Sequence, residues 1–208
     1  MRRTSIERYV SSLGIAVVMP TTHLGFYTDT QYQMKYWTFI SRELPGICRE
    51  FFPQMSDRKE DTLAAGMSMG GYGAWKLGLG ASDTFGAAAS LSGCLDMVED
   101  YDRHSEDERS LLFRGIFGTP NQLKGSDNDL WALACRLAEE KKELPRLYAW
   151  CGTEDFLYLD NIRTWKYIKK LGYDLTCEES AGEHQWKYWD KKIQDVLRWW
   201  LGIQKDLT

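Results

Sequence analysis

The sequence is poor in several things, and each shortage excludes something. No lysine or arginine cluster exceeds a pair and the net charge is −4, which argues against a nucleic-acid or anionic-membrane surface. The five cysteines (Cys48, Cys94, Cys135, Cys151 and Cys177) are scattered and odd in number. That pattern argues for reduced thiols and a cytoplasmic setting, and against a disulfide framework or a zinc site. Long apolar runs are missing too: Gly14 to Met19 is six residues, far short of a membrane span. Met1-Arg2-Arg3 ahead of that run imitates a secretion signal, but Ser5, Glu7, Arg8, Ser11 and Ser12 intervene, and Pro20 ends it without a small-residue cleavage site. There is no internal repeat or low-complexity segment. What remains is 208 residues, 43% hydrophobic and 27% charged, enough for one substantial core in a single domain over 1–208.

Strand-like and helix-like stretches alternate along the chain. Thr4 to Leu13 reads as a helix, Ile15 to Met19 as a buried strand and Pro20 to Thr30 as a loop. A helix follows from about Gln33 to Phe52, with a break or kink expected at Pro45-Gly46 because proline removes a donor. Strands are expected at Thr62–Ala65, Phe85–Leu91, Leu147–Cys151 and Leu175–Glu178, and helices at Met69–Leu79, Leu159–Leu171 and Trp186–Trp200. Residues 92–145 form a long connection. It opens with an acidic loop (Glu99, Asp100, Asp102, Glu106, Asp107, Glu108), read as solvated surface, and carries helical patterns near Ser110–Phe117 and Asp129–Lys142. The alternation predicts an α/β fold, a mainly parallel sheet with helices on both faces.

One stretch carries chemistry. Ala64-Ala65-Gly66-Met67-Ser68-Met69-Gly70-Gly71-Tyr72 reads strand, tight glycine turn, helix, with a serine at the apex. A nucleophile on such a turn needs tiny residues two before and two after it, here Gly66 and Gly70. The bare pattern arises by chance roughly one time in ten in such a composition, so the partners matter. A serine hydroxyl needs a base, itself held by a carboxylate. In the chain order expected for such a turn the acid and then the histidine follow the serine. Of three histidines, His23 precedes Ser68 and His104 sits in the acidic loop, which leaves His184, between the last strand and the last helix. The strand Leu147–Cys151 runs into Gly152-Thr153-Glu154-Asp155, and Asp155 is the expected acid with Glu154 the alternative. The bland readings are an idle serine, a surface-loop histidine and, for Asp155, a helix N-cap. Three such coincidences in the right order, each at a strand's carboxyl end, favour the catalytic one.

The strings GMSMGGYGAW around Ser68, WCGTEDFLY around Asp155 and SAGEHQWKYW around His184, with VVMP and GFYTDTQY near the start, resemble the esterase D group of α/β-hydrolases. Within it the chain is most similar to bacterial tributyrin esterases, and more distantly to S-formylglutathione hydrolases. The resemblance runs from about Arg3 to the closing helix. It implies an α/β-hydrolase fold, hydrolysis of short-acyl carboxylic esters, a small-molecule ester as partner, no cofactor or metal, and Ser68, Asp155 and His184 as the triad. The Met69 backbone amide is then one oxyanion donor. Phe26, Tyr27, Trp131 and Trp186 are candidates for the wall of an acyl pocket, with residues 92–145 overhanging the site. A homo-oligomer is compatible with this reading.

The family pattern also has parts that this sequence lacks. Such enzymes begin with three more strands and a His-Gly loop that supplies the second oxyanion donor, and Ile15–Met19 corresponds to their fourth strand. Met1 is accordingly read as an internal methionine or a fragment boundary, and 208 residues alone are expected to give a damaged sheet with poor solubility. Three alternatives stay open: a thioesterase like the S-formylglutathione hydrolases, an inert hydrolase remnant, and a thiol hydrolase using Cys151.

Overall fold

The structure, a computed structural model, describes residues 3–140 and 143–204. Readings placed on Met1, Arg2, Lys141 and Lys142 lie outside the described residues. In order, the elements are α1 (Ile6–Val10), α2 (Tyr36–Thr38), a π-helical turn (Phe39–Glu43), α3 (Leu44–Phe51), β1 (Leu63–Met67), α4 (Met69–Gly80), β2 (Ala87–Leu91), α5 (Met97–Arg103), α6 (Glu108–Phe117), α7 (Pro120–Leu123), α8 (Leu130–Glu139), β3 (Arg146–Gly152), α9 (Tyr158–Lys170), β4 (Leu175–Ser180) and α10 (Trp186–Leu201).

The four strands form one sheet in the order β1-β2-β3-β4, and every neighbouring pair is parallel. Side chains alternate across it as the two-residue period of a strand requires. Ala88, Leu147, Ala149 and Cys151 face a core filled by Tyr72, Trp75 and Leu79 of α4, by Leu133 of α8, and by Trp165 and Ile168 of α9. Ala89, Leu91, Tyr148 and Trp150 face the other way, against Trp189 and Val196 of α10. Helices on both faces explain why the strands read as near-continuous apolar runs. This is the α/β architecture expected from the alternation.

Three expectations need correction. Ile15–Met19 is not a strand: it pairs with nothing in the sheet, and Ala16 through Met19 are exposed. A strand exists only where a neighbour accepts its backbone bonds. β1 bonds β2 on one edge, and its other edge opens on a trench of about 1010 Å³ whose walls include Val17, Met19, Ala65, Met67, Gly70 and Trp186. Ile15–Met19 lies along that trench without closing it.

Nor does Pro45-Gly46 interrupt the helix, which is continuous from Tyr36 to Phe51. The Leu44 amide reaches back five residues to the Phe39 carbonyl, so Pro45 stands at the start of a fresh α-helical register, where its missing N–H costs little.

The first part of the acidic stretch, Glu99 to Asp102, is not a loop but lies in the helix α5, with Asp96 at its N-cap accepting from the Glu99 amide. Five of its six acids are exposed as expected, and Asp100 is the exception. Asp100 is buried beside Cys94 and Arg103, while Arg103 forks onto both oxygens of Asp160 at 3.1–3.2 Å.

Candidate active site

Parallel strands deliver their carboxyl ends to one rim of a sheet, where loops can converge. Ser68 follows β1, Asp155 follows β3, and His184 follows β4. Ser68 is held at φ 54°, ψ −122°, a conformation rare for a residue with a side chain and stored at the turn. Its own backbone is fully engaged: the amide donates to the Leu91 carbonyl, and its carbonyl accepts from Gly71, Tyr72 and Cys94. The flanking glycines are steric necessities. A Cβ on Gly66 would strike the Gly70 carbonyl, and one on Gly71 would meet the Ser90 hydroxyl and the Gly93 backbone. Met69 is the first residue of α4, so its amide has no partner within the helix and sits at the positive end of the helix dipole.

The three side chains meet. His184 Nε2 stands 2.9 Å from Ser68 Oγ, and His184 Nδ1 stands 2.8 Å from Asp155 Oδ2 and 3.0 Å from Oδ1. With the carboxylate on Nδ1, that nitrogen carries the proton and Nε2 is the acceptor facing the serine hydroxyl. The Asp155 carboxylate is fully covered, while the imidazole keeps about a fifth of its surface open. Burial by itself would raise the Asp155 pKa. Hydrogen bonds from His184, from the Leu157 amide at 2.9 Å and from the Ser92 hydroxyl outweigh it and hold the carboxyl below its ordinary value.

Glu154, the alternative acid, is engaged elsewhere. Its carboxylate accepts from the Gly182 amide while its own amide donates to the Gly182 carbonyl, and the same bond lowers its pKa. It ties the loop carrying His184 to the end of β3. Cys151 is buried, which pushes its thiol up to about 12, and Asp155 nearby adds to that shift.

The aromatic candidates scatter. Phe26 packs edge-on against Tyr72, Phe113 and Phe117, and Tyr27 lies flat against Gly73 with its hydroxyl near Gly70. Trp131 stacks on Tyr167 at 4.4 Å and donates to Thr164, between α8 and α9. Trp186 touches the site at one remove, through Trp189 at 5.7 Å.

Three neighbours of the Ser68–His184–Asp155 cluster were not singled out from sequence. Trp189 presents its edge to the imidazole at 4.8 Å and donates to Ser92 Oγ. Ser92 directly follows β2 at φ 49° and couples that indole to the carboxylate. Phe156 covers the imidazole at 4.5 Å. A signal existed for Phe156, which adjoins the expected acid, and for Trp189, one helical turn beyond Gln185. Ser92 had none beyond its place at a strand end.

A hydroxyl aligned on an imidazole nitrogen, with the ring held by a buried carboxylate, can attack an electrophilic carbonyl. Comparisons with known proteins show what the chain is similar to. An acetyl esterase of Caldicellulosiruptor saccharolyticus is 34% identical over 191 residues, covering 89% of this chain and 71% of that one. Among solved structures, the fluorophosphonate-binding serine hydrolase FphF of Staphylococcus aureus is 31% identical, with a TM-score of 0.86 over 96% of this chain and 76% of that one. The S-formylglutathione hydrolase FrmB of Staphylococcus aureus is also 31% identical, with a TM-score of 0.83 over 96% and 77%. The family model described as Esterase, "Putative esterase", matches residues 22–200, from the loop before α2 to the penultimate residue of α10. The chain therefore belongs to the Esterase family, and it is an α/β-hydrolase-like serine hydrolase of carboxylic esters.

Proposed function

We propose that this chain hydrolyses esters of short acyl groups through an acyl-serine intermediate, as a cytoplasmic, cofactor-free member of the esterase D group close to the tributyrin esterases. The observation that carries the reading is the unbroken line from Ser68 Oγ through both nitrogens of His184 to the buried Asp155 carboxylate. His184 Nε2 takes the Ser68 proton as Oγ bonds to the ester carbonyl carbon. The resulting oxyanion is met by the Met69 amide. Collapse expels the alcohol oxygen, which takes the proton from Nε2 as it leaves. Water then repeats the sequence on the acyl-serine: His184 removes its proton, the acid departs and Ser68 recovers its hydrogen. Asp155 keeps the proton on Nδ1 and steadies the imidazolium. Residues 1–208 act as one domain in this account, with 92–145 beside the site.

The acetyl esterase relative favours acetate-sized acyl groups, and FrmB favours a formyl thioester as the second reading. The test is a series of p-nitrophenyl esters from acetate to octanoate, beside S-formylglutathione, on the wild-type chain and on Ser68→Ala. kcat/KM is expected to be highest for acetate to butyrate, to fall with longer acyl groups, and to vanish in Ser68→Ala. A preference for S-formylglutathione would replace the carboxylester reading with the thioester one.

A further inference from the structure

Phe156 leaves 70% of its surface in solvent while its ring lies 4.5 Å from the His184 ring, and Leu159, at the start of α9, is 72% exposed. Large apolar side chains at the end of a buried strand ordinarily turn inward, as the neighbouring Leu157 does at 3% exposure. The imidazole also meets Trp189 at 4.8 Å, but that ring is only 6% exposed and is hydrogen-bonded to Ser92. Of the two aromatic rings against the imidazole, Phe156 is the one that stands open to a substrate.

The chemistry of the reaction says which part of a substrate would meet it. The leaving oxygen must take its proton from His184 Nε2, so the alcohol half departs alongside the imidazole. The acyl oxygen turns to the Met69 amide in that reading. We propose that Phe156 is a specificity-determining residue for the alcohol half of the ester, favouring aromatic or bulky apolar alcohols over methanol-sized ones. This rests on the serine-esterase reading above and adds the leaving-group class to it. An alcohol such as benzyl alcohol removes both its own ring and part of the Phe156 ring from water and can pack edge-to-face on it. Methyl acetate reaches neither.

The test holds the acyl group at acetate and varies the alcohol. kcat/KM for benzyl acetate and methyl acetate is measured by acid release on wild type, Phe156→Ala and Phe156→Leu. The benzyl-to-methyl ratio is expected to fall about tenfold in Phe156→Ala, the size of a small apolar contact in a binding site, and to be largely retained in Phe156→Leu. An unchanged ratio, with both rates lowered together, would overturn the proposal and leave the ring as a support for His184. A wild-type chain that turns over neither ester would count against the esterase reading instead. Saturation-transfer NMR with benzyl alcohol judges the surface without turnover: signal on wild type that is lost in Phe156→Ala supports the proposal, and equal signal on both overturns it.

Discussion

β3 has β2 and β4 on its edges, α9 on one face and α10 on the other, and Leu147 through Cys151 are wholly buried. Two strands away, β1 has β2 on one edge and the open trench on the other, with Val17 and Val18 left 42% and 46% exposed along it. The same sheet therefore holds an enclosed strand and an open-edged one, and the Ser68–His184–Asp155 cluster draws on both. Asp155 stands after the enclosed β3 and His184 after β4, the sheet's other edge strand, while Ser68 stands at the end of the open-edged β1. The serine's geometry is set by its immediate neighbours. It is fixed locally, by the Leu91 carbonyl on its amide, the Cys94 amide on its carbonyl and the glycines that let β1 and α4 close up.

The largest effect should come from changing the carboxylate after the enclosed β3 while leaving its packing alone. Asp155→Asn keeps shape and burial but lets the wrong imidazole tautomer form, so ester turnover should drop about 10⁴-fold with the melting temperature moving only a few degrees. A collapse of folding with the rate would show that Asp155 is chiefly structural.

Next in size is the mechanical contrast. Leu147→Ala in the centre of β3 should cost about 2–5 kcal/mol in denaturant unfolding, whereas Val18→Ala on the trench wall should stay within about 0.5 kcal/mol. Equal costs would mean that the trench closes in solution.

Smallest is a pH effect. The Asp155 carboxyl is held below its ordinary value in the folded chain, so the stability it contributes is present in full above the unfolded value of about 3.9. It is lost as pH falls through the lower folded value. Stability measured between pH 6 and 3 should therefore fall less steeply in Asp155→Asn than in wild type, and parallel curves would contradict the assignment.

How much of this could be read from the chain follows from how local each feature is. The elbow was legible because its requirements lie within five residues: small neighbours at Gly66 and Gly70, and a helix starting at once. Asp155 and His184 were legible because parallel strands fix which end their loops leave from. Ile15–Met19 misled because its apolar content is that of a strand, while its pairing depends on an element far from it in sequence. Pro45 misled for a different reason: a five-residue hydrogen bond absorbs the missing donor, and no residue pattern announces a π turn. Residues that act through another side chain, such as Ser92 beneath Asp155 and Glu154 on the Gly182 loop, carry polar groups that fit any turn. Only the folded arrangement distinguishes them.

If the line from Asp155 to Ser68 activates this one serine, with β1 open on its far edge, the serine should react with a mechanism-based phosphonylating reagent. The most direct measurement is intact-mass labelling of the folded chain with an alkyl fluorophosphonate, which loses fluoride to an activated serine, followed by peptide mapping. One phosphonyl group per chain is expected, on Ser68, with the labelling rate falling sharply in His184→Ala. A folded chain that takes up no label, or takes it up on several serines at similar rates, would contradict it.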